Sequence, residues 1–424
     1  MTRNFELSLD QARAFTTLRT FALVKHKRTA PRISLGGYAG TGKTTVSSEL
    51  ANELVHEYGK RIAFLAPTGK AASVLRRKLA RLAFPPDYYI GTIHGFLYRP
   101  VLDEQERLRG WVKRHFRPDG EGFVSENARD EIARLDLVMV DEASMLNEAL
   151  EKDVAHLGVP IIAVGDHGQL PPVQGRNTWM QRPEALLETI HRQAEDNPIL
   201  ALAEIVRETG KLPPRENLHA VGIETFSSLK DFAPALQRSY AEVGLGETAM
   251  ITWTNRLRTE LNESVQKHLF GELRPVPGSQ LICLKNDYPV VNGMRGFVEE
   301  VNAWDKAHQY HLRIAFPDEP SSTDPTQALM FHGPVFRPQF GLQRPVDGTQ
   351  AASELAQHPI STMEECGALY DWGYALTCHK AQGSEFRHVY IVLEPGSEPN
   401  DFARWLYTAI TRASEKVSFV WTKW

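Results

Sequence analysis

The sequence is poor in cysteine. Its three thiols, Cys283, Cys366 and Cys378, form no CxxC pair and make no disulfide framework, which fits a reducing, intracellular setting. No stretch reaches the ~18 consecutive apolar residues of a membrane-spanning helix. The first residues, MTRNFELSLD, lack the apolar core of an export signal. These absences predict a cytoplasmic protein with no membrane partner. Positive charge is not in excess either. The formal charge of −4 gives no global attraction for nucleic acid, so any such contact needs a local basic groove.

What is present is globular. The chain is 42% apolar and 24% charged, and its 424 residues exceed one ordinary core, so two or more domains are expected. The clearest signal is GYAGTGKT, Gly37 to Thr44, a complete G-x-x-x-x-G-K-[ST]. The short strand candidate RISL precedes it. TVSSELANELVHEYG follows, with Val46, Leu50, Leu54 and Val55 on one helical face and Gly59 as the stop. Strand, glycine loop and helix form the context in which backbone N–H groups and a helix N-terminus bind phosphate. Lys43 is expected to reach the β and γ phosphates, and Thr44 to hold Mg²⁺.

DLVMVDEASML, residues 136–146, reads as a buried strand with Asp141 at its carboxyl end, where parallel sheets place their sites. Asp141 suits the water shell of Mg²⁺, and Glu142 suits polarisation of an attacking water. PIIAVGDHGQLPPV, residues 160–173, is another strand ending in a Gly-Asp turn. Gln169 there carries an amide that can sense the terminal phosphate, and Pro171 and Pro172 stiffen its exit. Together these residues describe a P-loop nucleotidase.

The motifs in order resemble those of a superfamily 1B DNA helicase, of the RecD-like and phage Dda-like branch. LSLDQARAF, FLAPTGKAA, GTIHGFL, DEAS, GDHGQLPPV, LLETIHRQ, ITWTNRLRTELN, DYPVVNGMRG, YALTCHKAQGSEF and LYTAITRAS follow one another over nearly the whole chain. The resemblance implies an α/β chain with two RecA-like P-loop NTPase motor domains, ATP as fuel with Mg²⁺, and 5′-to-3′ travel on single-stranded DNA with duplex unwinding. It implies that Gln11 reads adenine and that Gly37, Gly40, Thr41, Gly42, Lys43, Thr44 and Thr45 bind the nucleotide. Arg192 and Arg412 are implied to neutralise charge on the transferred phosphoryl group, Arg412 as an arginine finger in cis.

The same resemblance divides the chain. Residues 1–95 and 129–184 are expected to form the first motor domain, and 96–128 an inserted pin region. Residues 185–279 and 366–424 are expected to form the second motor domain, with 280–365 an inserted SH3-like β module. In the pin region Trp111, Phe116 and Phe123 are candidates for a wedge that separates strands. SQLICLKND, GFVEEVNAW, QYHLRIAF and ALMFHGPVF read as the short strands of the module.

The single-strand track is expected to use Thr68 and Lys70, then Thr92 and His94, then His379 and Lys380, joined by Asn292 and Arg295. Hydroxyl, amide and ammonium donors at these points suit phosphodiester oxygens. The basic segment KAASVLRRKLAR adds local positive charge. Gln382 and Glu385 suit either strand or nucleotide. Expected partners are single-stranded DNA and single-strand/duplex junctions, with single-strand-binding or replication and recombination proteins as further candidates, and the chain is expected to work as a monomer. Two other classes stay open at this point. One is an RNA helicase, or a nucleic-acid-stimulated ATPase that translocates without separating strands. The other is a non-enzymatic ATP-gated loading protein.

Overall fold

A computed structural model describes residues 7–26, 31–85, 88–102, 108–113, 134–189, 197–218, 220–287, 290–302, 306–320, 327–394, 396 and 401–422. The chain divides into two compact units. The first comprises Met1–Arg99, Trp111–Gly210 and Ala403–Thr408, and the second Pro100–Gly110, Lys211–Phe402 and Ala409–Trp424.

The strands of the first part of the chain are β1 (Arg32–Gly37), β2 (Ile62–Ala66), β3 (Ile90–Thr92), β4 (Tyr98–Leu102), β5 (Leu108–Lys113), β6 (Leu137–Val140), β7 (Ile161–Gly165) and β8 (Ala185–Leu187). Six of them form one sheet in the order β3-β2-β6-β7-β1-β8, while β4 and β5 pair separately. Every described pairing in the six-stranded sheet is parallel. Strands IAFLA, LVMV and IIAVG are buried along their whole length, as a sheet covered on both faces requires. Their side chains alternate between two cores. Phe64, Met139 and Ile162 join Leu18, Leu50 and Leu54. Leu65, Val138 and Ile161 join Phe96, Leu146 and Leu157 on the other face. Leu50 and Leu54 are fully buried, and truncating either to alanine would cost about 2–5 kcal/mol.

The helix after β1, Lys43–His56, buries Val46, Leu50, Leu54 and Val55 as its spacing predicts. Gly59 ends the turn. Its φ of 60° lets its own N–H reach the Val55 carbonyl and that of Lys60 the Leu54 carbonyl. β1 itself runs two residues beyond RISL, through Gly36 and Gly37. A Cβ on Gly36 would lie 2.4 Å from Pro183 Cγ, so the strand continues where only glycine fits.

The second part of the chain supplies β9 (Ile223–Phe226), β10 (Thr248–Thr252), β11 (Gln280–Cys283), β12 (Arg295–Asn302), β13 (Gln309–Pro320), β14 (Ala328–Phe336), β15 (Tyr370–Trp372), β16 (Ala375–Thr377), β17 (Phe386–Leu393) and β18 (Ala413–Trp421). They make two sheets. One is parallel, in the order β16-β10-β17-β18-β9; the other is antiparallel, in the order β14-β13-β12-β11-β15. The fifth antiparallel strand, Tyr370–Trp372, lies beyond residue 365 in sequence. Only Gly373 and Tyr374 separate it from β16, so the chain passes directly from one sheet to the other. A single apolar cluster joins them, with Met250, Tyr390 and Val420 from the parallel sheet and Leu281, Val298, Ile314 and Trp372 from the antiparallel one.

Candidate functional site

In the first unit, the candidate residues fall along one edge of one sheet. Parallel strands end on the same side, so the segments after β3, β2, β6, β7 and β1 line up in that order. Thr92 and His94 follow β3, and Thr68 and Lys70 follow β2. Asp141 and Glu142 follow β6, Asp166 to Gln169 follow β7, and the glycine loop follows β1. The expected strand contacts thus lie toward one end of the edge and the expected phosphate contacts toward the other.

The glycine loop is held by its own residues. Gly40 and Gly42 have φ of 79° and 83°, conformations that side-chain-bearing residues resist. A Cβ on Gly37 would lie 2.6 Å from Thr41 Oγ1. Thr41 is fully buried and donates its hydroxyl to Tyr38 O at 2.9 Å. Lys43 Nζ donates to Gly37 O at 2.8 Å and Tyr38 O at 2.7 Å, which sets its ammonium inside the turn. Helix Lys43–His56 starts at Gly42 with no side-chain cap and no acidic residue in its first turn. Its first amides and its dipole therefore face no protein anion from that turn. Thr44 Oγ1 accepts a bond from Lys78 Nζ at 3.2 Å. Thr45 lies in the helix's first turn, half-buried.

Gln11 is buried, and both ends of its amide are engaged. Its Oε1 accepts from Ser8 N at 3.2 Å in a capping box, and its Nε2 donates to Thr41 O at 3.2 Å. It braces the glycine loop directly. Asp141 Oδ1 accepts from Glu142 N at 3.0 Å. Glu142 has a φ of 52°. A non-glycine residue in the left-handed region is strained, and such strain collects at functional turns.

Asp166 and Gln169 sit on the turn after β7. Asp166 is buried, accepts from Gly168 N at 2.9 Å, and accepts from the Tyr407 hydroxyl at 2.7 Å. That hydroxyl also accepts from Ala39 N of the glycine loop at 2.8 Å. Thr408 Oγ1 accepts from Leu170 N at 2.9 Å. Residues 403–408 thus tie the loop to the Gly-Asp turn. Gln169 Nε2 points at Asp166, while its Oε1 is buried with no hydrogen-bond partner among the described residues. Tyr38 packs on His167 at 4.5 Å, with the Arg207 guanidinium 4.1 Å from the tyrosine ring. Burial holds the His167 ring below the usual imidazole value. The positive charges of Lys43, Arg207 and Arg404 act in the same direction, and Asp166 opposes them.

These residues fit a bound nucleoside phosphate. A Cβ on Gly37 would clash, Gly40 and Gly42 take left-handed φ, the helix has no side-chain cap, a lysine is turned into the cradle, and among the described residues Gln169 keeps a buried acceptor without a donor.

The expected strand stations are local caps and stacked rings. Thr68 caps helix Gly69–Leu79 by accepting from Ala71 N at 3.2 Å, and Thr92 caps the next short helix by accepting from Gly95 N at 2.9 Å. Lys70 lies in the first turn after Thr68. His94 stacks on Tyr98 at 4.8 Å, and burial holds its ring low against the pull of Asp153. In the second unit, β10 and β16 end side by side, Thr252 opposite Thr377, which puts Trp253 near His379 with ring centroids 6.5 Å apart. Burial also holds His379 and Lys380 below their usual values. Lys380 Nζ donates to Asn292 Oδ1 at 3.2 Å, so those two candidates come together.

Arg295 is directed elsewhere. Its guanidinium lies over Phe386 at 4.5 Å and donates to the carbonyls of Gly373 and Gly246, which makes it a clamp within its own unit. Arg412 is buried and donates to Ser384 O at 3.1 Å. The first β17–β18 pair is Phe386 with Ala413. Arg412 therefore stands at the amino edge of the second parallel sheet, whereas His379 and Lys380 stand at its carboxyl edge. Gln382 is buried and Glu385 exposed. Arg192, Phe116 and Phe123 lie outside the described residues. Trp111 falls on β5, with its side chain outside the description.

A family model of the AAA domain matches residues 13–221, and one of the UvrD-like helicase C-terminal domain matches residues 373–420. The ATP-dependent RecD2 DNA helicase of Deinococcus radiodurans is 26% identical over 404 residues, covering 91% of this chain and 46% of that protein. The RecBCD enzyme subunit RecD of Mycobacterium tuberculosis is 27% identical, covering 91% of this chain and 66% of its own length. The ATP-dependent DNA helicase dda of phage T4 is 26% identical over 282 residues, covering 62% and 58%. By sequence the chain is similar to helicases of the RecD and Dda kind. It spans about half to two thirds of the length of these relatives.

A Bacteroides Pif1 helicase in complex with ADP-AlF3 and single-stranded DNA has a TM-score of 0.52 at 15% identity, covering 98% of this chain and 92% of that one. That likeness speaks for the fold alone. Among the described residues, no helix is long and apolar enough to cross a membrane.

What pattern reading missed in this site is mostly long-range. Tyr407 and Asp166 stand 241 positions apart, and no local periodicity links them. Both stand inside quoted motifs, which was the one available signal. Tyr38 occupies a position that the glycine motif leaves unspecified, and Lys78 reads as one more charge in a basic helix.

Proposed function

We propose that the chain is an ATP-dependent DNA helicase that moves 5′ to 3′ on single-stranded DNA and separates duplex strands. The observation that carries this is the glycine cradle. Lys43 is turned into it, and Asp141, Glu142 and Gln169 stand on the same sheet edge as the strand-facing turns after β2 and β3. The family relatives act as ATP-dependent DNA helicases by name, which supports the choice of ATP and DNA.

In this reading Lys43 leaves the loop carbonyls for the terminal phosphates of ATP, and the uncapped amides of helix Lys43–His56 hold the β phosphate. Thr44 and Asp141 would hold Mg²⁺, which would supply neutralisation of phosphate charge. Glu142 orients and deprotonates the attacking water, and Gln169 fixes its direction. Arg192 and Arg412 neutralise the equatorial oxygens as charge develops. Thr68, Lys70, Thr92 and His94 in one unit, and Asn292, His379 and Lys380 in the other, grip the DNA backbone. Backbone contact of this kind predicts low sequence preference and steep salt dependence. The antiparallel sheet, as an SH3-like module, helps retain the strand, and the region around Trp111 splits the junction. One polypeptide carries every named part, which supports action as a monomer.

Strand displacement with 5′- and 3′-overhang DNA tests the reading, with 5′ overhangs unwound and 3′ overhangs left intact. Preference for the 3′ overhang would contradict the direction, and RNA-only unwinding would move the substrate class. Lys43→Ala should remove ATP turnover from a protein with unchanged circular dichroism. Turnover near that of the parent would defeat the cradle assignment.

A further inference from the structure

Helix Gly69–Leu79 carries Lys70, Arg76, Arg77 and Lys78, and a pattern reading gives all four to nucleic acid. The structure separates them. Arg77 is exposed, and Arg76 donates to Ile90 O at 3.4 Å. Lys78 extends to the glycine loop and donates to Thr44 Oγ1 at 3.2 Å. The helix buries Ala71, Ala72, Leu75 and Leu79, so Lys78 contributes nothing to its core.

A threonine hydroxyl has one proton and two lone pairs. The bond from Lys78 takes one of those lone pairs, and its charge opposes a divalent cation at the other. An ammonium already at that oxygen is also a positive charge in a metal ion's place. Lys43 does not fill this role, because its own ammonium is bonded to Gly37 O and Tyr38 O.

We propose that Lys78 acts as a built-in monovalent cation at Thr44, which a divalent cation must displace, so that Lys78 sets the Mg²⁺ concentration at which nucleotide binds. This rests on the reading of Thr44 as a metal ligand. Lys78 is a positioning residue in this scheme, since it leaves before the loaded site forms. Its effect is on metal demand rather than on the chemical step.

The test uses the full chain without DNA and a fluorescent ADP analogue titrated with MgCl2. Lys78→Met keeps the aliphatic stem and removes the charge. It should lower the half-saturating Mg²⁺ concentration about five- to tenfold, the scale of one ordinary net hydrogen bond at a half-exposed site. Lys78→Arg keeps the charge and should stay within about twofold of the parent. Lys78→Gln gives the same expectation as the methionine variant, should the latter fold poorly. An unchanged or raised Mg²⁺ requirement in the neutral variants overturns the proposal. So does weaker binding of the analogue in EDTA, because Lys78 would then be a phosphate ligand. Thr44→Ala separates the two levels. If it leaves Mg²⁺ dependence untouched, Thr44 is not a metal ligand and the underlying reading fails, whatever Lys78 does.

Discussion

Two helices start at the carboxyl edges of the two parallel sheets, and their first turns are built oppositely. Helix Asn255–Phe270, after β10, begins at Thr254. The Thr254 hydroxyl caps Leu257 N at 3.2 Å and donates to Glu394 Oε1 at 2.7 Å, while Thr254 N donates to Glu394 Oε2 at 3.1 Å. Glu394 is buried at the end of β17, so a fixed carboxylate sits against that helix's positive end. Helix Lys43–His56, after β1, has no side-chain cap, and among the described residues no carboxylate accepts from its first amides; its entry turn is glycine. One helix end is closed by the protein's own anion, and the other is shaped for an anion that comes and goes. The same α/β architecture therefore yields a structural joint in one place and a nucleotide site in the other. The difference lies in three or four residues at the turn, not in the fold.

The largest effects should come from breaking the nucleotide side of that contrast. Arg412→Ala should lower single-turnover ATP hydrolysis by ~10³–10⁵ and change ATP affinity far less. Equal losses in rate and affinity would remove Arg412 from the finger role. Glu142→Gln should bind ATP as the parent does and hydrolyse it about 10²–10⁴ more slowly. A rate within threefold or so of the parent would transfer the base role to another residue, since general acid–base catalysis is seldom worth so little.

The contrast also marks what the sequence could disclose. The glycine motif and the apolar strands were legible because they are local. Glycine spacing dictates the turn, and runs such as LVMV dictate burial on both faces. The antiparallel strands were legible for the same reason, as short strand-like segments separated by turns. Glu394 closing the turn at Thr254 was not, since 140 residues separate donor from acceptor. Arg295 was assigned to DNA from its motif. Its direction was decided by the pairing of β12 with β11, which turns the guanidinium onto Gly246 and Gly373 carbonyls. The left-handed backbone at Glu142 was equally hidden, because glutamate gives no sign of positive φ. Gln11 was read as an adenine contact, and the bond from its amide to Thr41 O, 30 positions on, was not legible. Patterning reports which segments are buried. It does not report which distant group satisfies a polar atom once they are.

The smallest effect tests the closed end. Glu394→Ala removes a buried carboxylate that accepts from both the amide and the hydroxyl of Thr254. Charge-assisted bonds of this kind contribute about 1.5–3 kcal/mol, so local stability of helix Asn255–Phe270 should fall by that order. Two units rule out a single unfolding free energy, so hydrogen exchange at the helix's first amides is the suitable measure. Those amides should exchange faster in the variant. Inorganic pyrophosphate should slow exchange around Gly42–Val46 in the parent and leave residues 255–258 unaffected. In Glu394→Ala, residues 255–258 should gain weak protection from the same anion, because the carboxylate no longer blocks the helix end. Insensitivity of both helix ends to pyrophosphate would mean that the missing cap after β1 has no bearing on anion binding.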